Sequence, residues 1–436
     1  MDKNIPLLTP FQKFVKIESF GGILLLLATL IALFWANSSF GDSYSSLWDY
    51  KVGLKTEGFE LYKPLLLWVN DGLMAIFFFL IGLEIKREVK IGELNSFKKM
   101  AFPLFGAIGG MLIPVAFFIF INQDGETFKG WGIPMATDIA FSLAILNTLG
   151  KRIPLSLKIF LTAFAIVDDL GAVLVIAIFY SGTIDLTLLG AALGLLLLLY
   201  LMSYKQYYSK FILIVFSLVI WLLFLKSGIH PTLAGVLLAF SVPIRQKINT
   251  PAFIDNLVAI TSNIKEAVIS KKPILSKEQI QQIDDLEDWT SRYQSPLQHM
   301  EHSLHGWVAY LVIPIFALAN AGVVISSDLN INTLLVINII ICLVFGKSIG
   351  ITVMVLFAKK IGLIKIPEDI TKRHIIGTSF LAGIGFTMAI FVSNLAFNDD
   401  PVYNLSAKLG ILIGSVIAAI LGYMILRIKA NDKFES

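Results

Sequence analysis

Residues 156–180 read SLKIFLTAFAIVDDLGAVLVIAIFY. A run of this kind is long enough to cross a bilayer, which takes about 20 mostly apolar residues. Yet two adjacent aspartates, Asp168 and Asp169, stand at its midpoint. Ionisable groups at that depth are costly and mark functional sites by default. The stretch therefore predicts a membrane-spanning helix and a buried carboxylate pair together.

The rest of the chain agrees with the first half of that reading. Of its 436 residues, 56% are hydrophobic and 15% charged, and the mean hydropathy is +0.78. Soluble domains carry about 25% charged residues, so soluble, secreted and disordered classes drop out. No basic face of the nucleic-acid-binding kind is present, and no nucleic-acid partner is expected. Cys342, the single cysteine, lies in an apolar run and excludes an intrachain disulfide or a cysteine metal cluster.

Apolar runs recur at 19–36, 64–84, 100–121, 131–149, 156–180, 186–202, 211–226, 229–244, 303–325, 332–358, 374–397 and 405–428. They predict an all-α integral membrane protein with about 12 transmembrane helices, in one polytopic domain. The runs at 186–202 and 229–244 are short. The first run follows Lys3, Lys13 and Lys16 and has the outline of a signal peptide. No small-x-small cleavage site follows it, so it counts as a span. Of the 35 Lys and Arg, 28 fall in connections on the side of the N-terminus and six on the other side, and Lys347 lies within a span. The positive-inside rule then places both termini in the cytoplasm.

Two stretches are not spans. Residues 44–63 alternate roughly and carry Gly53 and Gly58, which reads equally as an external β-hairpin or a plain loop. Residues 245–300 form a long cytoplasmic connection. Within it Phe253, Ile254, Leu257, Val258, Ile260, Ile264 and Val268 make one helical stripe. Ser276 and Gln279 make a capping-box pattern ahead of Ile280, Ile283, Leu286 and Trp289. Two amphipathic helices are expected, lying on the membrane or on the protein.

Beside Asp168 and Asp169, Asp138 lies near the middle of 131–149 and Lys347 near the middle of 332–358. Three carboxylates and one ammonium at one depth point to a single polar site. The carboxylates exceed the ammonium by two, and such an excess must bind a cation or a proton. Burial disfavours ionised carboxyls, and a second carboxylate nearby disfavours them further, so such pairs exchange protons in the physiological range. Na⁺ or Li⁺, hard cations, would compete with protons for the same oxygens, with the Thr137 hydroxyl and unwound carbonyls as further ligands. A site that holds either, and never reorients empty, exchanges one for the other.

Gly377, Gly383 and Gly385 interrupt 374–397, and Gly132, Pro134 and the Thr137–Asp138 step weaken 131–149. Interrupted helices at corresponding places in two halves point to a transporter site. Asp138 is expected to offset the positive half-helix ends and Lys347 the negative ones. Spans three to five and ten to twelve each have a broken helix in the middle and start on opposite sides, which predicts an inverted repeat with two discontinuous helices.

From about Gly21 to Arg427 the chain resembles the NhaA family of sodium/proton antiporters. The resemblance rests on LLLWVNDGLMA (65–75), LIGLEIKREV (80–89), ATDIAF (136–141), AIVDDLGA (165–172), KSGIHPTLAGV (226–236), EHSLHGWVAY (301–310), FALANAGV (316–323), FGKSIGI (345–351), GIGFTMAIF (383–391) and KLGILIGS (408–415). It implies two crossed broken helices, with Asp168 and Asp169 as the ion-binding pair, Thr137 and Asp138 in the unwound segment and Lys347 paired to an aspartate. It also implies electrogenic exchange of external protons for internal Na⁺ and Li⁺ across a bacterial inner membrane, serving pH and sodium homeostasis. No cofactor is implied. Membrane lipid surrounds the chain, and a homodimer through the 44–63 hairpin is implied. A pH-responsive cluster would comprise Glu84, Arg87, Glu88, Glu301, His302 and His305, with His230 at the external end. Asp71 also matches, without an assigned role. The long 245–300 connection departs from the family pattern and ends at Glu301, beside that cluster.

Read from the residues alone, His299, His302 and His305 lack the Cys or Asp partners of a metal site, and Glu84 to Glu88 also reads as an ordinary charged helix end. A cation channel would need a continuous water path. An intramembrane aspartyl protease would need a GxGD pattern, which neither Asp138 nor Asp168 has. The alternative that stays closest is a sodium-coupled symporter of a related fold.

Overall fold

In the computed structural model the chain is described over residues 10–57, 60–92, 94–122, 125–205, 207–245, 250–267, 277–324 and 330–428. A lipid core offers the backbone no hydrogen bonds, so apolar runs must satisfy their own amides as helices. Among the described residues eight helices are long and apolar enough to cross a membrane: Leu65–Ile91, Phe97–Ile121, Leu155–Phe179, Leu186–Tyr204, Lys210–Ser227, Pro296–Asn320, Thr333–Lys360 and Pro401–Arg427. Counting each of two bent pairs as one span raises this to ten. The α-helices in the expected spans at 131–149 and 229–244 are the ten-residue Ile139–Thr148 and Thr232–Ser241. Ten residues rise about 15 Å, half a hydrocarbon core, so these two are not full helical spans.

Helix ends on one side of the bundle gather the basic connections. There Lys86 Nζ donates to the carbonyls of Phe240 and Val242 at 2.6 and 2.5 Å, closing the end of the short helix Thr232–Ser241. Arg152 reaches the Arg427 carbonyl at 3.2 Å. We call this the basic end. The opposite end carries a two-stranded antiparallel hairpin, Lys51–Lys55 with Glu60–Pro64, in register Lys51 to Pro64. Trp68 Nε1 donates to the Val52 carbonyl at 3.0 Å and Lys226 Nζ to that of Glu60 at 2.7 Å, tying the hairpin down.

The hairpin is shorter than the expected 44–63. Gly41–Asp49 is a helix, turned 112° from the preceding span. Its Tyr44 hydroxyl donates to the Leu318 carbonyl at 2.8 Å and accepts from the Gly322 amide at 3.2 Å, capping the end of Pro296–Asn320. A buried aromatic with a hydroxyl in reach of orphaned carbonyls holds this segment helical.

The connection on the basic side contains the two expected helices, Thr250–Ala267 and Lys277–Tyr293. They pack on one another, with the Phe253 and Tyr293 rings stacked at 4.1 Å. The predicted stripe is only partly covered: Ile260 is buried, while Ile254 and Val258 are exposed. Ser276 and its capping box, Val268 and Gly58 lie outside the described residues.

Helices Phe97–Ile121 and Thr333–Lys360 cross with their backbones in contact. A Cβ on Gly109 would lie 2.2 Å from the Gly350 carbonyl oxygen, and one on Gly350 equally close to that of Gly109. Each of these helices leads into a broken helix that is followed by a long one, Leu155–Phe179 or Pro401–Arg427. The long–broken–long pattern is thus present in both halves. Among the described residues three helices carry π turns, at Trp68–Leu73, Val308–Val312 and Cys342–Gly346. The last directly precedes Lys347; such turns re-aim the side chains after them and favour functional sites.

Candidate ion-binding site

The first broken helix is a 3₁₀ stretch, Thr127–Met135, then extended residues 136–138, then the α-helix Ile139–Thr148. Pro134 and Gly132 fall in the 3₁₀ part, and Gly132 N donates to the Tyr180 hydroxyl at 3.2 Å. The second is Lys372–Ala382, a break at Gly383–Gly385, and Phe386–Ala396, bent by 42°. The glycines are not there for backbone freedom, since Gly383 and Gly385 have φ of −71° and −86°. They are there for space: a Cβ on Gly383 would sit 2.3 Å from the Leu343 carbonyl oxygen. Gly377 does not interrupt the helix. It lies within Lys372–Ala382, facing Leu426.

The two breaks meet and satisfy one another. At the carboxyl end of Lys372–Ala382 the carbonyls of Leu381, Ala382 and Ile384 accept from Ser142 Oγ (2.7 Å), Thr137 Oγ1 (2.9 Å) and Asp138 N (2.7 Å). In return Asp138 caps the amino ends of both outgoing halves. Its Oδ1 accepts from Phe141 N at 3.0 Å, and its Oδ2 from Thr387 N at 3.2 Å and Thr387 Oγ1 at 2.5 Å. One carboxylate thus meets the positive ends of two half-helices, as expected. Asp138→Ala removes both caps, each worth about 1 kcal/mol. We expect it to lower stability by about 2 kcal/mol, and Asp138→Asn, which keeps acceptor oxygen, by less. Thermal unfolding in detergent checks this; an alanine variant as stable as the parent would refute the double cap.

Lys347 is fully buried. Its Nζ lies 2.8 Å from Asp168 Oδ2, and it also donates to Thr137 Oγ1. The Phe164 ring covers it at 5.9 Å. Lys347 is expected to offset the negative half-helix ends. It reaches them through Thr137, whose hydroxyl passes the hydrogen bond on to Ala382. Asp168 Oδ1 is buried and accepts no hydrogen bond among the described residues. Asp169 is 2% exposed and has no ion pair within 4 Å among them.

Toward the basic end Glu84, Arg87, Glu88, Glu301 and His305 come together. Arg87 pairs with Glu88 at 2.9 Å and with Glu301 at 3.0 Å, the latter too poorly aligned for a hydrogen bond. His305 Nδ1 lies 3.7 Å from Glu84. His302 is exposed and stands apart. His299 faces Gln294 and Lys210, so the three histidines do not converge. His230 is at the hairpin end, 3.7 Å from Asp71, which Lys63 also pairs at 3.1 Å.

Thr387 and Ser142 are not among the residues that the sequence pattern points to. The signal was present for Thr387, which follows the glycine break at the second position of a new helix, where a hydroxyl reaches a capping carboxylate.

Two interrupted helices meeting over buried carboxylates at mid-span define the architecture of a secondary ion transporter. The comparisons with known proteins agree. Residues 12–426 match the family model described as Na⁺/H⁺ antiporter 1, and the chain belongs to that family of transporters. It is 45% identical to the Na⁺/H⁺ antiporter NhaA of Oleidesulfovibrio alaskensis, over 98% of this chain and 95% of that one. It is 42% identical to Na⁺/H⁺ antiporter NhaA 1 of Saccharophagus degradans, over 98% and 93%, and 41% identical to Na⁺/H⁺ antiporter NhaA of Helicobacter pylori, over 95% and 94%.

Proposed function

We propose that this multi-pass membrane protein exports Na⁺, and Li⁺ with it, in exchange for entering protons. One observation carries the reading. Of the three aspartates buried among the described residues, Asp168 is balanced by Lys347 and Asp138 by two helix amino ends, which leaves Asp169 without an ion pair within 4 Å among those residues. A buried carboxylate in that position takes up a proton or a cation. Na⁺ would be held by Asp169 and by Asp168 Oδ1. Protons competing for the same oxygens would displace it, so each state of the site excludes the other. Taking up more than one proton per Na⁺ on an adjacent pair makes the exchange electrogenic, as the family resemblance implies.

The excess of basic residues at one end orients the protein with both termini in the cytoplasm of a bacterium, in its inner membrane. The Glu84, Arg87, Glu88, Glu301 and His305 cluster then faces the cytoplasm and adjusts activity to pH, with His230 contributing from outside. The external hairpin, with its exposed Val52, Leu54 and Tyr62, joins two copies into a homodimer. No cofactor takes part.

The test is proton flux in everted vesicles from a host without antiporters. An imposed pH gradient should collapse on adding Na⁺ or Li⁺ within about pH 6.5 to 8.5, and should persist with Asp169→Asn. No collapse at any pH would reject antiport and favour symport of an organic solute.

A further inference from the structure

Four asparagines at the hairpin end, from four separate segments, form one continuous chain of hydrogen bonds. Asn404 Nδ2 donates to Asn394 Oδ1 at 3.2 Å, Asn394 Nδ2 to Asn320 Oδ1 at 2.7 Å, and Asn320 Nδ2 to Asn70 Oδ1 at 2.8 Å. Asn70 Nδ2 returns to Asn320 Oδ1 at 3.4 Å, and Asn320 Nδ2 also reaches the Phe316 carbonyl at 3.0 Å. Ser393 Oγ donates to Asn404 Oδ1 at 3.3 Å. Asn70 and Asn320 are buried, while Asn394 and Asn404 are half-buried. The chain therefore runs from near the surface into the interior.

Its members sit where movement would be felt. Asn394 is near the outer end of Phe386–Ala396, the second half of the second broken helix. That half-helix is held at its inner end by Asp138 through Thr387. Seven residues, about 10 Å of helix, separate Thr387 from Asn394. Between them Phe391 packs on Phe78, Phe316 and His230 by ring contacts alone. Asn70 lies in the π turn of Leu65–Ile91, and Asn320 is the last residue of Pro296–Asn320. Two of the three anchors are thus at irregular or terminal backbone. Asn404 lies near the start of Pro401–Arg427.

We propose that Asn70, Asn320, Asn394 and Asn404 are positioning residues that latch this half-helix to the body of the protein and keep the aspartate site closed toward the hairpin side. Amides suit the task. They are uncharged, so they do not compete with the aspartates for the cation. Their hydrogen bonds are of small net worth, so they can be exchanged for water when the half-helix swings out. Breaking the chain at one link should shift the equilibrium toward the state open on this side by about fivefold.

The inference rests on the proposed orientation, which puts the hairpin side outside intact cells, but not on the proposed exchange; its test needs no transport. Met388, buried on the same half-helix, is replaced by cysteine in a Cys342→Ala chain. Labelling with a membrane-impermeant maleimide is followed in intact cells, from the hairpin side, and in everted vesicles, from the basic side. Asn394→Leu should speed labelling from the hairpin side about fivefold and leave the other side unchanged. A folded Asn394→Leu protein labelled at the parent's rate, or sped equally from both sides, overturns the latch. Should Asn394→Leu fail to fold, Asn404→Ala, which removes only the outer link, decides: a rise confined to the hairpin side supports the latch, and an unchanged rate overturns it. Loss of Na⁺-driven flux in the parent would reject antiport while leaving the labelling result intact.

Discussion

Asp168→Asn is expected to abolish Na⁺-driven proton flux, to below about one hundredth of the parent rate, because a neutral amide cannot alternate between a proton and a cation. The substitution is nearly isosteric. The amide oxygen still accepts from Lys347, so the fold should survive with a loss of about 3 kcal/mol, the low end for breaking a buried ion pair. Flux in vesicles and thermal unfolding of the purified variant separate the two effects. Folded protein with parental flux would remove Asp168 from the site and leave its pairing with Lys347 as a structural contact only.

That Asp168, Asp138 and Lys347 converge was legible in the sequence because each is an ionisable group at the centre of an apolar run, and membrane depth alone brings such groups near one plane. Their partners were not legible. That Lys347 reaches the half-helix carbonyls through Thr137, and that Asp138 caps a helix 249 residues away in sequence through Thr387, depend on how two breaks cross. Periodicity carries no information about that. The asparagines were harder still. Asn70 and Asn320 are single uncharged amides in apolar segments, and nothing in their immediate sequence distinguishes a buried network from four unrelated polar residues.

Secondary structure departs from the sequence pattern where tertiary contacts decide it. Gly41–Asp49 is only nine residues long and has no side-chain cap, although Tyr44, Leu47 and Trp48 share one helical face. Tyr44 docks on the carboxyl end of Pro296–Asn320 and holds it as a helix, so the expected hairpin begins only at Lys51. Residues 131–149 are apolar enough for a full span, but Gly132 against Tyr180 and the meeting of breaks at 136–138 leave α-helix only in the second half. Gly377, by contrast, reads as a third interrupter beside Gly383 and Gly385, yet the small residue there serves packing on Leu426. Composition marks a glycine, and only the neighbour across the interface says whether it breaks a helix or lets another approach.

Lys347→Ala should be the most destabilising single change in the site. It strands the Asp168 carboxylate, which is 1% exposed, without its ammonium, and frees Thr137 Oγ1 from its donor. Removing one partner of a buried pair costs about 3–5 kcal/mol, while replacing both is often near neutral, because what costs is the orphaned charge. The double variant Lys347→Ala with Asp168→Ala should therefore unfold at a higher temperature than Lys347→Ala alone, although it removes more atoms. The comparison separates charge from cavity. A lost side-chain volume adds across two sites, whereas a relieved charge subtracts. Thermal unfolding of the parent, both singles and the double forms a closed cycle that measures the coupling. A double variant destabilised by the sum of the singles would show that Lys347 and Asp168 contribute separately. A double variant above Lys347→Ala would place the cost of this site on the carboxylate left behind, the same excess of negative charge that a transported cation or proton would meet at Asp169.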